Sequence, residues 1–455
     1  MDALAPDHLT LTGARPASRL GQISWALYEW ARNPYYILVT IYVFAPYFSR
    51  VVVGDPVRGQ EIWGFLTSIA GIILAVTGPV LGAVADAAGA RKPWLFLCTA
   101  ISVPAMASLW FATPGMGEHI LPVAISLIVA GLLFEYSVIF HNAMLPSLAR
   151  RGRIGALSGL SLALGNVSGV LVFLFVLIAW LWTDHPAFGF DRAAYEPERA
   201  IGLITGVWFG LFSLPLFLFT PDNPGTGKKL GPAVRDGVGS LIRTIRSLRR
   251  FRNIAFFVAA RMIYTDAFGI TLAFTGIYAA GIFGWDSKAL VLYGIVLSVV
   301  AGIGSIIGGM IDDHLGSRRT LLLALCVGIF MNIVTVSISK TSILFLPVSD
   351  APVLSGLSLP ECVFYLNSFL GCFSIVAGLA SSRTLMARLA PPSMVGEFFG
   401  LFAFSGNVTA FLGPFCVATV TALFHSQRAG LSVTIPFLIV GGLLLYPVRE
   451  EQAVA

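Results

Sequence analysis

Two stretches of this sequence determine its fold: GAVADAAGARK, from Gly82 to Lys92, and GMIDDHLGSRR, from Gly309 to Arg319. Both fit the pattern Gly-x-x-x-Asp-x-x-Gly-x-Arg-(Lys/Arg), and they begin 227 residues apart. Glycine allows two helices to approach closely and lets the chain turn tightly. An aspartate at a helix end can accept hydrogen bonds from the N-terminus of a neighbouring helix, whose dipole favours negative charge. The doubled pattern therefore predicts the same turn in two repeated halves.

Two further repeated patterns of residues support this internal repeat. Four residues recur at a constant offset of 241, with Gly155, Gly159, Gly165 and Asn166 in one half and Gly396, Gly400, Gly406 and Asn407 in the other. A shorter echo relates Ala31, Arg32 and Tyr35 to Ala260, Arg261 and Tyr264. Three echoes in the same order along the chain are typical of a duplicated architecture.

The composition indicates a membrane protein. Of the 455 residues, 56 % are hydrophobic and 11 % are charged, and the mean hydropathy is +0.84. An ordinary soluble protein has roughly 45–50 % apolar and about 25 % charged residues, so this chain has too few charges to cover a soluble surface. Disordered chains are poor in apolar residues. The five cysteines all lie in apolar stretches, which excludes a disulfide scaffold.

Twelve apolar stretches reach the length of about 20 residues that a helix needs to cross a membrane. Runs such as GIILAVTGPVLGAV do not alternate between apolar and polar residues, as the strands of a membrane β-barrel do. The predicted fold is therefore all-α, with twelve transmembrane helices in two pseudo-symmetric six-helix bundles. The segments are 24–48, 61–85, 94–113, 120–147, 156–182, 200–220, 253–283, 289–312, 320–339, 360–387, 397–424 and 430–448.

Lysine and arginine set the predicted orientation. With the N-terminus in the cytoplasm, the tails and even-numbered loops hold 19 of the 29 basic residues and the odd-numbered loops hold 7. Both termini are therefore expected to be cytoplasmic, and the polar first 22 residues contain no cleavable signal. The predicted organisation is a tail over 1–23, bundles over 24–220 and 253–448, a basic linker over 221–252 and a tail over 449–455.

The basic linker carries a helical pattern. An apolar residue recurs every three or four positions, at Val234, Val238, Leu241, Ile245 and Leu248, and arginines lie beside this stripe. The spacing favours an amphipathic helix over 233–250 that lies on the cytoplasmic leaflet. A solvated basic linker is the alternative.

Ionisable groups inside transmembrane segments are rare and mark transport pathways by default. Glu29, Arg32, Asn33 and Tyr36 are spaced by three, four and seven residues, so they share one face of segment one. Polar residues of segments four and seven complete the candidate substrate and proton pathway: Glu135, Asn142, Arg261, Tyr264 and Asp266. His141 is expected to be a packed or interfacial histidine.

Arg32 is the candidate switch between substrate and proton. It lies about 12–14 Å along segment one, too deep to reach water easily. A lone arginine there costs at least about 2.5–3.5 kcal/mol, so we expect Glu135 or Glu29 to pair with it when the site is empty. A substrate carboxylate would replace that partner, and the displaced glutamate would bind a proton, with Asp266 as a second titrating group. The alternative is purely structural pairing, of Glu29 with Arg32 and of Arg261 with a carboxylate on a neighbouring helix.

Twelve segments, a basic central linker and the doubled motif resemble the major facilitator superfamily. The resemblance implies that segments one, four, seven and ten line a central cavity and that the motifs form a cytoplasmic gate. The gating residues are Gly82, Asp86, Gly89 and Arg91 in the first copy and Gly309, Asp313, Gly316 and Arg318 in the second. By the dipole argument and pseudo-symmetry, we expect Asp86 to contact Glu397–Gly400 and Asp313 to contact Gly155–Leu160.

A narrower resemblance is to the vacuole-effluxer-like branch of this superfamily, and it spans both halves. It is carried by ALYEWARNPYY (Ala26–Tyr36), ARMIYTDAF (Ala260–Phe268), GIYAAGIFGW (Gly276–Trp285) and SRTLMARLAPPSMVGEFFG (Ser382–Gly400). The resemblance implies export of amino acids or similar small solutes, and so a small-molecule substrate and contact with membrane lipids.

The sequence favours a secondary active transporter over an enzyme. The six histidines are never within four residues of one another, and no nucleophile, zinc or phosphate-loop motif is present. We expect no cofactor, no metal and no nucleic-acid partner, and a monomer in a bacterial cytoplasmic membrane. It would work by alternating access, most simply with protons as the coupling ion. An exporter of drugs or other metabolites and a transporter-like sensor without flux are the alternatives.

Overall fold

The computed structural model describes residues 10, 15–150, 153–223, 231–232, 235, 250–354, 356–390, 398, 401–402, 405–406 and 408–449, without the side chains at 79, 83–88, 118 and 154–155. In this part of the chain, eleven helices are long and apolar enough to cross a membrane. The predicted all-α fold is confirmed. The strands that the structure describes form only two small hairpins.

The described helices are numbered α1 to α12 in chain order. Their bounds are α1 Arg19–Pro34, continued by the π-helical stretches Tyr35–Tyr42 and Phe48–Val52; α2 Pro56–Ala88; α3 Lys92–Ala107; α4 Leu121–Leu148; α5 Ile154–Val176; α6 Glu196–Phe219; α7 Arg252–Phe283; α8 Ser287–Leu315; α9 Ser317–Ser337; α10 Leu359–Leu389; α11 Leu412–Phe424; and α12, in two pieces, Gln427–Ser432 and Thr434–Leu445.

The helices agree with the predicted segments. Eleven of the twelve segments coincide with a membrane-capable helix. The remaining segment, 397–424, includes residues outside the description, and its described helix is the shorter α11. The amphipathic helix predicted over 233–250 also falls outside the described residues, apart from Arg235 and Arg250, and stays a prediction.

The two hairpins lie between α9 and α10. Strand β1 (Ser342–Ile343) pairs antiparallel with β2 (Leu346–Pro347), with Ser342 opposite Pro347. Strand β3 (Pro352–Leu354) pairs in the same way with β4 (Leu357–Ser358). The short apolar run at 343–347 is therefore part of a hairpin and adds no transmembrane helix.

Polar side chains cap the N-termini of several helices. Ser18 accepts a hydrogen bond from the amide of Gly21 (3.1 Å) at the start of α1, and Asp286 caps α8 in the same way. At α10, Ser358 and Glu361 form a capping box, in which the amide of Ser358 donates to the Glu361 carboxylate (2.8 Å). Each cap satisfies amides that have no partner within the helix.

The chain divides into two compact units, and the first comprises Met1–Phe44 with Val76–Leu241. Within it, α1 packs against α5 and α6, and α3 packs against α4 and α6. The close approach of α1 and α5 requires Gly165, since a Cβ atom there would lie 2.9 Å from Cγ of Glu29. The largest fully buried side chains of this unit are Trp25, Tyr28, Tyr35, Phe44, Phe140, Phe173, Trp180 and Phe209.

The second unit comprises Ala45–Ala75 with Ile242–Ala455. Within it, α10 packs against α8 and α9, and α12 packs against α7 and α9. Small residues permit these contacts, because a Cβ atom at Gly308 of α8 would lie 2.7 Å from Cβ of Ala377 in α10. Close backbone approach of this kind is the usual basis of helix association in membranes.

Polar side chains also join helices of the second unit. Asn332 of α9 accepts hydrogen bonds from Thr271 of α7 (3.3 Å) and Thr434 of α12 (3.0 Å). Such bonds contribute on average about 0.6 kcal/mol each in membrane proteins. Packing of small and apolar side chains therefore carries more of the stability than these polar links.

Residues 45–75 pack with the second unit although they precede most of the first unit in sequence. Nε2 of Gln60 donates to Oγ1 of Thr421 (2.8 Å) and to the carbonyl of Gln427 (3.1 Å). Nε2 of Gln427 in turn donates to the carbonyl of Pro56 (2.8 Å). The predicted bundles over 24–220 and 253–448 follow chain order, whereas the packing groups the first half of α2 with α11 and α12.

Glycines bring α2 and α11 together over several turns. A Cβ atom at Gly64 would lie 2.8 Å from Cβ of Ala418, and one at Gly71 would lie 2.9 Å from Cα of Phe411. Gln60, Gly64 and Gly71 repeat at helical spacing, so one face of α2 makes all of these contacts. We call this surface the α2–α11 contact.

Replacing Gly64 by valine should weaken the α2–α11 contact. The added side chain would collide with Ala418 and cost about 1–3 kcal/mol through overpacking. The matched control is Gly302→Val on α8, where no described atom lies within 4 Å of the added Cβ. We expect Gly64→Val to lower the melting temperature in detergent by about 1–3 °C and Gly302→Val to leave it nearly unchanged. Equal effects of both variants would contradict the tight contact.

Candidate transport site

Arg32 and Glu29 form a close ion pair one turn apart on α1. Nη2 of Arg32 lies 2.7 Å from Oε1 of Glu29, and Nε of Arg32 donates to Oε2 (2.9 Å). The two side chains are 10 % and 13 % exposed. An unpaired arginine in an apolar segment costs at least about 2.5–3.5 kcal/mol, so this two-point pair stabilises the buried charge. Of the two partners predicted for Arg32, the structure selects Glu29.

Helix α4 supplies an aromatic ring and a second carboxylate beside this pair. The ring centroid of Phe134 lies 4.9 Å from Cζ of Arg32 and 6.1 Å from that of Tyr36. Glu135 is half-buried, and its charge interacts with those of Arg32 and Glu29. No hydrogen bond or ion pair joins Glu135 to a residue that the structure describes. Among the described residues, the guanidinium thus has one bound carboxylate, Glu29, and a second carboxylate nearby, Glu135, that forms no hydrogen bond or ion pair.

The rest of the predicted face of α1 contacts α5. Nδ2 of Asn33 donates to the carbonyl of Gly165 (2.6 Å), the glycine against which Glu29 packs. Asn33 and Glu29 therefore face α5, while Arg32 and Tyr36 face Phe134 of α4. The predicted common face of these residues is where α1 meets α4 and α5.

Two further polar residues named from the sequence, His141 and Asn142, lie closer to the C-terminal end of α4 and have different surroundings. His141 is buried, with its ring stacked on that of Trp25 (centroids 4.3 Å apart) and close to Tyr28 (5.0 Å). Its Nε2 lies 2.8 Å from the carbonyl oxygen of Trp25. The expectation of a packed histidine is confirmed. Asn142 is exposed.

Arg261 on α7 contacts backbone and hydroxyl oxygens. Its Nη1 donates to the carbonyl of Phe402 (2.6 Å) and to Oγ of Ser405 (2.9 Å), and its Cζ lies 3.6 Å from the Phe402 ring centroid. A Cβ atom at Gly406 would lie 2.8 Å from Nη1. Among the described residues, no carboxylate forms an ion pair with Arg261. The structural pair that the sequence left open is therefore not seen in this part of the chain.

Asp266 is a buried carboxylate one and a half turns further along α7. It is 6 % exposed, and Oγ1 of Thr409 donates to its Oδ1 (3.4 Å). Its Oδ2 has no hydrogen-bond partner among the described residues, and none of their lysines or arginines forms an ion pair with it. Tyr264 lies in the core, where its hydroxyl is 2.6 Å from Oγ of Ser382. Asp266 is thus available for a proton or a cation, whereas the Tyr264 hydroxyl is satisfied.

In both copies of the doubled motif, the second glycine has a positive φ angle. Gly89 has φ +79° and Gly316 has φ +84°, values that only glycine adopts readily. The predicted reason for glycine at these positions is confirmed. Gly82 and Gly309 have open surroundings, since a Cβ atom at Gly82 would meet only Ile139, at 3.9 Å, and one at Gly309 would meet no described atom within 4 Å.

In the first copy, an aspartate from outside the motif caps the next helix. The carboxylate of Asp222 accepts hydrogen bonds from the amides of Arg91 (2.9 Å) and Lys92 (3.0 Å) at the start of α3. Nη1 of Arg91 donates to the carbonyl of Gly89 (3.1 Å). The side chain of Asp86 and most of 396–400 lie outside the description, so the contact predicted for Asp86 stays a prediction.

In the second copy, the aspartate next to the motif position is the one with partners. Asp312 is buried, accepts a hydrogen bond from Oγ of Ser317 (3.0 Å) and lies 3.7 Å from Nη2 of Arg388. Asp313 is exposed, and its contact with Gly155–Leu160 stays a prediction. Nη2 of Arg318 donates to the carbonyl of Tyr446 (2.5 Å).

Three neighbours of the candidate residues were not predicted from the sequence. Phe134 beside Arg32 could have been found from its position directly before Glu135. Asp222 stood out only as a rare acidic residue in the basic linker. The pairing of Asp312 with Arg388 gave no sequence signal, because it joins residues that are distant in sequence.

The fold defines the class of protein. The crystal structure of a D-xylose–proton symporter aligns with 96 % of this chain and 100 % of its own chain, at a TM-score of 0.69 and 12 % identity. Identity this low establishes the fold alone. Together with the relatives below, it identifies the chain as a major facilitator superfamily transporter and an integral membrane protein.

The sequence relatives define the branch. The family model for "Vacuole effluxer Atg22 like" proteins matches residues 51–455, and the chain belongs to that family. The MFS-type transporter YxiO of Bacillus subtilis is 24 % identical over 433 residues, covering 94 % of this chain and 95 % of the relative. Autophagy-related protein 22 of Cryptococcus neoformans is 25 % identical over 307 residues, covering 65 % of this chain and 50 % of that relative. The chain thus spans about half the length of the fungal relative.

These findings confirm the predicted superfamily and branch. The relatives and structural neighbours are transporters, which agrees with the prediction that the chain is not an enzyme. A transporter of this family has a small-molecule substrate and is embedded in lipid.

Replacing Asp222 by asparagine should loosen the start of α3. The amides of Arg91 and Lys92 would lose a charged acceptor at a helix N-terminus, at a cost of roughly 1 kcal/mol. A loss of about 1 kcal/mol raises the equilibrium constant for local unfolding of the first turn of α3 about fivefold. Amide hydrogen exchange at 91–92 should therefore become about fivefold faster. The control is Asp350→Asn in an exposed loop, which should leave this exchange unchanged. Unchanged exchange in Asp222→Asn as well would contradict the cap.

Proposed function

We propose that this transporter exports a small polar solute that carries a carboxylate, an amino acid or a similar metabolite, and couples its movement to protons by alternating access. The observation that carries the proposal is the Arg32–Glu29 pair, with Glu135 unbound beside it. An arginine fork fits a carboxylate at two points. A substrate carboxylate and the Glu29 carboxylate are therefore equivalent ligands for the same guanidinium.

The pair suggests how the solute and a proton are carried together in the same direction. In the empty state Glu29 occupies the donors of Arg32 (2.7 and 2.9 Å). An arriving solute carboxylate takes those donors, and the released Glu29 or the neighbouring Glu135 takes up a proton, which keeps the net charge of the site constant. When the solute leaves, Glu29 pairs again and the proton is released. Each step exchanges one buried charge for another, so no charge is left unpaired in the apolar segment.

The second unit supplies a further candidate for proton binding. Asp266 is buried and has an unpartnered oxygen, while Arg261 has no carboxylate partner among the described residues. We assign Asp266 the role of second titrating group. A neighbour in fold is a D-xylose–proton symporter, which supports protons as the choice of coupling ion.

The family name supports the direction of transport. Vacuole effluxers are named for export, and we assign that direction to this chain. The turns at Gly89 and Gly316 would hold Asp86 and Asp313 as latches on the cytoplasmic side. The chain would be a monomer in a bacterial cytoplasmic membrane with both termini in the cytoplasm, consistent with its likeness to a Bacillus protein over nearly its full length.

Arg32→Gln should abolish transport and leave the protein folded. The measurement is efflux of a ¹⁴C-labelled amino-acid mixture from proteoliposomes, with the folded fraction checked by gel filtration in detergent. The matched control is Arg58→Gln, since Arg58 also pairs with a glutamate three residues away, Glu61, but is 59 % exposed. We expect efflux at the unaltered rate in the control.

Three outcomes would contradict this proposal. Full efflux by Arg32→Gln would exclude Arg32 as the solute ligand. No efflux of any labelled solute by the unaltered protein, and no metabolite difference between cells with and without it, would favour a sensor without flux. Efflux of other metabolites in that comparison, with amino acids unmoved, would favour the alternative exporter class.

A further inference from the structure

The start of α1 and the end of α4 are joined in the first unit. The amide of Ala17 donates to the carbonyl of Leu148 (3.0 Å). Nε2 of Gln22 donates to the carbonyls of both Ala17 (2.9 Å) and Leu148 (3.2 Å). Because α5 begins at Ile154, shortly after α4 ends, the basic residues before α1 and between α4 and α5 come together.

A cavity of about 680 Å³ opens at this junction. Four arginines line it together with Gln22: Arg15, Arg19, Arg150 and Arg153. All four are exposed, and none forms an ion pair with a described residue. No acidic side chain of the described part of the chain lines the cavity. Among the described residues, the cavity therefore holds four positive charges without a counter-charge.

This arrangement suits a phosphate group. Four like charges around one cavity repel one another unless an anion lies among them. The guanidinium group presents a planar fork of donors that binds phosphate at two points. The positive end of the α1 dipole lies at the same place, since the lining residues flank the helix start at Arg19. We infer that this pocket binds a phosphate group, carried by an anionic phospholipid or present as free phosphate.

Orientation of the chain in the membrane explains basic residues near helix ends but not this pocket. Arginines that only set the orientation need to lie on the correct side of the membrane. They need not come from two separate parts of the chain and face one cavity. Basic pockets between membrane helices on the cytoplasmic side are known to bind phospholipid headgroups. The inference is independent of the proposed transport chemistry, because none of the four arginines belongs to the transport site.

The test is a binding titration on the purified, delipidated full chain in detergent, in which native mass spectrometry measures the bound fraction. The probes are dioleoylphosphatidylglycerol, dioleoylphosphatidylcholine as the zwitterionic reference, and inorganic phosphate as a competitor. The pocket variant is Arg19→Gln with Arg153→Gln. The control variant is Arg250→Gln with Arg252→Gln, which removes the same charge from another basic region.

We expect the unaltered protein and the control variant to bind the phosphatidylglycerol alike, and the pocket variant to bind it about tenfold or more weakly. Phosphatidylcholine should bind equally weakly to all three. Competition by millimolar inorganic phosphate would identify free phosphate as the natural source, and absence of competition would identify the lipid. If the pocket variant does not fold, the single variants Arg15→Gln and Arg150→Gln replace it, each with a several-fold loss.

Equal binding of phosphatidylglycerol by the pocket and control variants would overturn the inference. The same holds if the unaltered protein does not distinguish phosphatidylglycerol from phosphatidylcholine and does not bind inorganic phosphate.

Discussion

A guanidinium in the apolar interior of a membrane protein needs a partner, and the Arg32–Glu29 pair meets this constraint on a single helix. The cost of an unpaired arginine there, at least about 2.5–3.5 kcal/mol, exceeds what one polar contact between membrane helices contributes, about 0.6 kcal/mol. Residues of two neighbouring helices accommodate this pair. Gly165 leaves room for Glu29 between α1 and α5, and Phe134 covers Arg32 from α4.

The two repeated halves use the same scaffold for different charges. In the first unit, a glycine of α5 packs against Glu29, whose carboxylate is paired. In the second, the equivalent glycine, Gly406, packs against Arg261, which contacts backbone and hydroxyl oxygens. Asp266 is left without a cation among the described residues. The duplication therefore preserved the helix contacts, while the chemistry of the two halves diverged.

Local sequence patterns predicted the fold well, because hydropathy and turn chemistry act over short distances. The membrane-capable helices follow from apolar length, and the left-handed turns at Gly89 and Gly316 follow from the doubled motif. The Glu29–Arg32 pair could be predicted for the same reason, since helical spacing places the two side chains side by side.

Contacts between distant parts of the chain could not be predicted from local sequence patterns. Asp222 caps α3 from beyond α6, and Gln60 binds Thr421 and Gln427 from the other end of the sequence. Periodicity also could not choose between Asp312 and Asp313, because neighbouring residues on a helix differ only in the direction they face. The arginine pocket likewise arises only when the start of α1 and the end of α4 meet.

The central claim is that solute binding and proton binding are coupled at one arginine, Arg32. The most direct measurement is proton movement during solute efflux, followed with a pH-sensitive dye inside proteoliposomes that contain the purified protein and an amino-acid mixture. The account predicts that efflux moves protons across the membrane in a fixed ratio, and that an imposed pH gradient accelerates efflux when the membrane potential is clamped. Efflux at the same rate with and without the gradient, with no change in internal pH, would contradict it.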